Sequence, residues 1–540
     1  MLAGAATFAL LAFPGLASAA VTSAVNGGAL TASSDAADPI AITCVGGNVK
    51  VNGGNPGGGA DVACNTITSI TVTGGPGANL LDLSGVTDQT FPAVAAVTVS
   101  GGEGDDTILG TGFADRLNGG GGNDRIVPDD NPLNTRDDAR GDAGNDTIVW
   151  NGGDDDDLND GGPGVDTTQV NGAAAGETFT VKPGPNGHVI FDRTAPTPNP
   201  PGFFNIDMST TEVLDLNMNA GDDTVTADPG FAAPALDVDG GDGNDRIDGS
   251  DAADTLSGGN GDDSIVPDDN PAGTRDVARG DAGNDTITWN GGDDDDINDG
   301  GDGNDTSVVN GATAAEKFTI KPGAPGRVAF DRVSQNPAPF SVDIGTTELL
   351  RLNANAGDDV IKGFKGVSGL ISTELNGEDG DDTIRGTDAE DRINAGNGRD
   401  LVNSRDRAED LLDCGANFDV AFVDRRDFLR NCNIVFGGHL RVKVPNKVLH
   451  VANGDAALRL KCAGTKRCKG VAKLRQGGKT LGTAKFNIKK GAKTVDLDLN
   501  RKGLRLMANA PAKGRGMKLQ IDAKDAKGNG WRSTTKVTLR

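Results

Sequence analysis

From residue 101 to 127 the chain reads GGEGDDTIL, GTGFADRLN, GGGGNDRIV. Each block of nine puts a carboxylate at its sixth place and an aliphatic residue at its eighth. These carboxylates are Asp106, Asp115 and Asp124. Later blocks place Asp245, Asp254 and Asp263, and then Asp382, Asp391 and Asp400, in the same way. Copies spaced by ten residues add Asp146, Asp156, Asp285, Asp295 and Asp305. Asp166, Asp223 and Asp359 stand in isolated or degenerate repeats. Carboxylates brought together beside glycine carbonyls make an all-oxygen, anionic environment. That chemistry suits a hard cation with six or more ligands, calcium before magnesium.

The elements that would position these carboxylates follow from the same nine residues. Six residues with several glycines form a tight turn, because glycine reaches positive φ without penalty. Three residues then form a short strand, with the aliphatic pointing one way and its neighbours the other. Stacked copies line the aliphatics into a narrow core and bring carboxylates of successive layers face to face. Without a cation those charges repel and a glycine-rich chain loses much entropy on folding, so metal binding and folding are expected to be one event.

The blocks GGEGDDTIL, GGGGNDRIV, GGDGNDRID and GGNGDDSIV resemble the GGxGxDxUx nonapeptide of the RTX-type, or hemolysin-type, calcium-binding β-roll family. The resemblance implies Ca2+ as the cofactor. It also implies that Ca2+ is held between adjacent turns by the sixth-place aspartates and backbone carbonyls. It is strong over a minority of the chain and does not reach the last hundred residues. GTGFADRLN, GSDAADTLS and GTDAEDRIN depart from the pattern at the fourth glycine, each in the second layer of its array, which points to a layer with its own role, such as a weaker ion site.

A larger repeat is superimposed. Residues 127–162 return at 266–301 with five differences in 36 positions, and the likeness continues through ETFTVKPG and EKFTIKPG to TTEVLDLN and TTELLRLN. The expected organisation is a signal-peptide-like segment (1–19), an N-terminal β region with a degenerate repeat (20–100), calcium-binding modules at 101–236 and 237–376, a third array with its cap (377–436) and a basic domain (437–540). The Pro- and Asp-rich blocks at 128–140 and 267–279 read as surface loops.

The fold class expected is all-β: a parallel β-roll or β-helix solenoid followed by a C-terminal, Ig-like β-sandwich. The 540 residues include 81 Gly and no Tyr, so a thin core of Val, Ile and Leu is expected in place of a large conventional one. The net charge of −27 conceals a division. Residues 437–540 hold 26 Lys and Arg against 5 Asp and Glu, and the remaining 436 hold 25 against 73. The acidic body needs neutralising cations to pack. The basic domain could meet an anionic cell-wall polymer or polysaccharide. No nucleic acid is expected, because aromatic interleaving is missing.

Six cysteines fall in three local pairs: Cys44 with Cys64, Cys414 with Cys432, and Cys462 with Cys468. They read as disulfides formed in an oxidising compartment. With the Ala17-Ser18-Ala19 pattern and no further membrane-length apolar run, this indicates an extracellular or cell-surface protein. HExxH and GxSxG motifs are absent, and the reading is a non-enzymatic structural or adhesive protein. The rival is a Ca2+-dependent β-helix lyase or hydrolase acting on polysaccharide. Trp150 and Trp289 are read as caps of small cores in preference to sugar-stacking platforms.

Overall fold

The computed structural model describes residues 21–436, except 129–135, 152–156, 194–203, 231–232, 269–273, 291–294, 335–337 and 425, together with most of 441–539. The leader-like segment 1–19 lies outside the described residues.

The chain is a β-roll. Consecutive nines do not stack on one another; they alternate between two parallel sheets, and each pairs with the block two along. In one sheet Ile108 of Thr107–Leu109 lies opposite Ile126 of Arg125–Val127, and Ile126 lies opposite Ile148 of Thr147–Asn151. In the other, Val99 lies opposite Leu117, and Leu117 opposite Ala139. One coil is therefore two blocks. The eighth-place residues Ile108, Leu117, Ile126, Ile148, Ile247, Leu256, Ile265, Ile287, Ile384, Ile393 and Val402 are all at most 2 % exposed. They form the thin core that the composition allowed, each side chain removed from water between the two sheets.

The described chain divides into two compact units. One runs to Ala173 and takes in Glu177–Asn217 and Ala233–Asp237. The other comprises Ala174–Gly176, Met218–Ala232 and Val238–Arg540. Within each unit the segment between repeat arrays forms an inserted antiparallel meander. In the first, Thr178–Pro183, Val189–Arg193 and Phe204–Ser209 pair in succession, and the last returns parallel to Asp157–Asp160. In the second, Lys317–Pro322, Val328–Arg332 and Phe340–Gly345 repeat the arrangement against Asp296–Gly303.

Aromatic residues fill these meanders. Trp150 stacks on Phe204 with ring centroids 3.9 Å apart, and Trp289 on Phe340 at 3.7 Å. Both tryptophans are at most 1 % exposed, so they are core residues and offer no face to a sugar. A buried ion pair completes each cluster: Arg193 with Glu177, and Arg332 Nη1 with Glu316 Oε1 at 3.0 Å. Arg332 also lies over the Phe340 ring, 4.6 Å from its centroid.

The blocks at 128–140 and 267–279, read as surface loops, lie outside the described residues at 129–135 and 269–273. Their ends enter the sheets as Asp138–Ala143 and Val277–Gly283, with Ala139 and Ala278 in the core place. The glycine turn is missing and alanine replaces the large aliphatic, which hid both blocks as repeats.

At the C-terminus, Asp455–Gln476 pairs antiparallel with Lys479–Leu499 and with Arg515–Asp525, and the latter pairs with Gly530–Leu539. The described strands join into one seven-stranded sheet with an apolar core that includes Leu458, Phe486, Leu519 and Val537, so a separate second sheet is not seen among the described residues.

All three expected disulfides are formed. Cys44, in the strand Ile40–Val45, is bonded to Cys64, which opens the short 3-10 turn Cys64–Thr66. Cys414 is bonded to Cys432. These two follow Leu411–Asp413 and Phe428–Arg430, which are paired neighbours in one sheet, so the bridge staples one coil to the next. Cys462 is bonded to Cys468, but the pair closes no hairpin. Both lie in one strand, on either side of a register shift between Cys462 and Arg467.

Candidate metal centre

The turns stack as closely as backbones can. Gly122, at the fourth place of its block, has φ +130°, and a Cβ there would overlap the carbonyl of Gly104 one coil earlier. Only glycine fits that column. The close approach brings the sixth-place aspartates into line.

Those aspartates form a hydrogen-bonded ladder. Asp124 Oδ1 accepts the N–H of Asp106 at 2.8 Å, Asp146 Oδ1 that of Asp124 at 2.7 Å, and Asp166 Oδ1 that of Asp146 at 2.8 Å. Glu212 Oε2 then accepts from Asp166 at 2.8 Å. In the second unit the row runs from Asp223 through Asp245, Asp263 and Asp285 to Asp305, each N–H held by the next carboxylate, and Glu348 closes it at 2.9 Å. A further row links Glu316, Asp359, Asp382, Asp400 and Asp419. At the N-terminal end Asn79 replaces the acid. Its amide donates to Ala36 O and Asp38 O and accepts from Gly75 N–H, so all its bonding is within the protein.

On eleven of these aspartates one oxygen is left over. Oδ2 of Asp106, Asp124, Asp146, Asp166, Asp245, Asp263, Asp285, Asp305, Asp359, Asp382 and Asp400 is buried without a hydrogen-bond partner. A buried carboxylate oxygen in that state is costly unless a cation meets it. Beside Gly101, Asp106 Oδ2 and the carbonyl oxygen of Gly119 in the next coil converge on the space that a Cβ would fill. Burial, and then the neighbouring carboxylates, push Asp106, Asp124, Asp146 and Asp166 up to about 6, and Asp382 up to about 7. The donor set is oxygen only and anionic, with a buried oxygen left unpartnered on eleven of its aspartates, which fits Ca2+.

The opposite edge of the roll carries a second ladder of different chemistry. Asp115, Asp254 and Asp391 take their place in it, donating N–H to Asp137, Asp276 and Asp410. Their own carboxylates are met by protein donors. Thr111 gives Asp115 both its N–H and its hydroxyl, at 2.6 and 2.7 Å. Ser250 does the same for Asp254, and Thr387 for Asp391. The second-place hydroxyl supplies locally what the other edge lacks, and this distinguishes the blocks that lose their fourth glycine.

The ladder register differs from the expected one at one place in each long module. Asp296 accepts the N–H of Asp276, at 3.3 Å. The expected Asp295 points elsewhere, accepting from Ser341 N–H at 2.6 Å and approaching Arg275 at 3.8 Å. A run of four aspartates carries no internal register, so spacing alone chose the wrong member. In the first module Asp157 holds the equivalent place, and the expected Asp156 lies outside the described residues. Sequence reasoning also missed Asp137, Asp276, Asp410 and Asp419. Each stands two residues before a buried Ala or Leu, the one signal that could have found them.

The comparisons with known proteins agree with this geometry. The family model of the RTX calcium-binding nonapeptide repeat matches in four copies, at residues 100–130, 238–269, 351–367 and 374–404. No curated protein matches the chain. Asp106, Asp115, Asp124, Asp245, Asp254, Asp263, Asp359, Asp382, Asp391 and Asp400 all fall inside the matched segments, and over them the chain carries RTX calcium-binding nonapeptide repeats.

Proposed function

We propose that the chain is a secreted calcium-binding scaffold whose roll assembles on Ca2+ and acts in a structural or adhesive role at the cell surface, without catalysis. The observation that carries this is the row of buried Oδ2 atoms without partners, repeated rung after rung on one edge. A roll in that state is held apart by its own charge until a cation enters. Extracellular fluid supplies the ion and the oxidising conditions that three disulfides need. No helix among the described residues is long and apolar enough to cross a membrane. The basic C-terminal domain would hold an anionic cell-wall polymer or polysaccharide by charge.

Far-UV circular dichroism of the full chain tests the reading, first in chelator and then with millimolar Ca2+. A gain of β signal on adding calcium is expected, and its absence sinks the proposal. Incubation with acidic polysaccharides tests the non-enzymatic part: release of unsaturated or reducing ends would overturn it.

A further inference from the structure

The second-place hydroxyl that serves Asp115, Asp254 and Asp391 gives way to a carboxylate at one block of the second edge. Residues 405–413, RDRAEDLLD, contain no glycine and lie beyond the last match to the nonapeptide family model, which ends at 404. Asp410 holds the sixth place and Leu412 the core place. At the second place, where Thr387 stands one block earlier in the same row, the residue is Asp406.

The change of one residue type alters the local chemistry. A hydroxyl at that place donates to the sixth-place carboxylate, whereas a carboxylate cannot. Asp406, Asp410 and Asp391 each offer an oxygen, and the three oxygens lie within 4.8 Å of one another. Asp410 is fully buried. Its Oδ1 accepts the N–H of Asp391 at 3.0 Å, and its Oδ2 has no partner. Asp406 Oδ1 accepts the N–H of Ala408 at 2.6 Å, and its Oδ2 is likewise buried and unpartnered. In the next block Asp427 takes donors from Ser404 and Asp424 on Oδ2, while its Oδ1 is buried without one. Asp391 already has Thr373 and Thr387 hydroxyls on Oδ1 at 2.6 and 2.8 Å, which aim its carboxylate.

We infer that Asp391, Asp406 and Asp410 form a second class of divalent-cation site, built from side-chain carboxylates without a glycine turn, that takes Ca2+ and fastens the last coils of the roll. Three carboxylates so close in a buried setting must either share protons or hold a cation. An oxygen-only trio with two unpartnered buried oxygens has the donor chemistry of a hard cation site. This site goes beyond the ladder reading and does not depend on it, because its donors lie on the other edge.

Hydrogen–deuterium exchange of the full chain, in calcium and in chelator, tests the two separately. Peptides covering 404–413 report this site, and peptides covering 377–385 report the glycine-turn ladder. Calcium should slow exchange of 404–413 by about tenfold or more. In Asp406→Asn that response should vanish while the response of 377–385 persists. Asp406→Thr restores the hydroxyl of the preceding block. It should protect 404–413 in chelator and abolish any further effect of calcium there. The inference is overturned if calcium leaves 404–413 unchanged in the natural chain, as a proton-held cluster would behave, or if Asp406→Asn retains the response. A response at 404–413 with none at 377–385 would sink the ladder reading and leave this site standing.

Discussion

Asp124 Oδ1 accepts the backbone N–H of Asp106 at 2.8 Å, so a side chain from one coil completes the main chain of the coil before it. The same carboxylate keeps Oδ2 free of any protein donor. One oxygen is structural and the other is available to an ion. Replacing Asp124 by Ala removes both at once. The N–H of Asp106 then loses its acceptor, a cost of about 1–3 kcal/mol. The Ca2+ midpoint of folding should rise several-fold, while binding at other rungs persists. A calcium titration followed by circular dichroism reads this, and complete loss of binding would contradict a row of similar sites.

The pH response should invert with calcium. Asp106, Asp124, Asp146 and Asp166 are raised from 3.8 to about 6 in the fold by burial and by one another, with Asp105, Asp142 and Glu212 adding to the repulsion. A carboxyl raised in the folded state favours the fold while protonated. That contribution is fully present below about pH 4 and is lost as pH rises through 6. In chelator the protein should therefore melt at a lower temperature at pH 7.5 than at pH 4.5. Calcium competes with protons for the same oxygens, so with calcium present the order should reverse. Equal melting temperatures at the two pH values in chelator would contradict the buried ladder.

Thr111→Val tests the second edge. It keeps the shape of the side chain and withdraws the hydroxyl from Asp115. Stability should fall by about 1–3 kcal/mol with calcium present, and calcium stoichiometry should not change. Denaturant unfolding and equilibrium dialysis would measure the two.

Gly122→Ala tests the stacking of turns. Its φ of +130° is strained for any side chain, and the added Cβ would overlap Gly104. A loss of about 1–3 kcal/mol is the minimum expected from strain alone. Calcium should restore the fold only at higher concentration, as titration by circular dichroism would show.

Arg332→Met tests the buried pair beneath Trp289. Glu316 would remain buried, holding Ala312 N–H at 2.6 Å but without its cation. Breaking such a pair costs about 3–5 kcal/mol. Thermal unfolding should shift accordingly, and a double change with Glu316→Leu should recover part of it.

Much of this architecture could be read from the sequence because two physical demands share one period. The eighth place must be apolar and the sixth must carry a carboxylate, so Ile108 with Asp106 and Ile265 with Asp263 were plain. The alternation of blocks between two sheets was not, because periodicity along the chain is silent about which block pairs with which. Asp137 and Asp276 were hidden where proline-rich sequence replaced the glycines and alanine sufficed for the core. Asp295 was preferred to Asp296 because four adjacent aspartates look alike until a backbone N–H selects one. Glu212 and Glu348 were invisible as rungs, since they reach the ladder from segments 46 and 43 residues away.

Those two glutamates give the ladder an orientation. Every rung leans on a carboxylate that comes later in the chain, so the leading coil is always complete and the trailing coil always has an open N–H. A chain cut after Asp166 or Asp305 would end on such an opening, whereas one that reaches Glu212 or Glu348 does not. These two rows are therefore zippers whose final tooth is supplied from beyond their own repeats, and the length of each is set by where that tooth arrives.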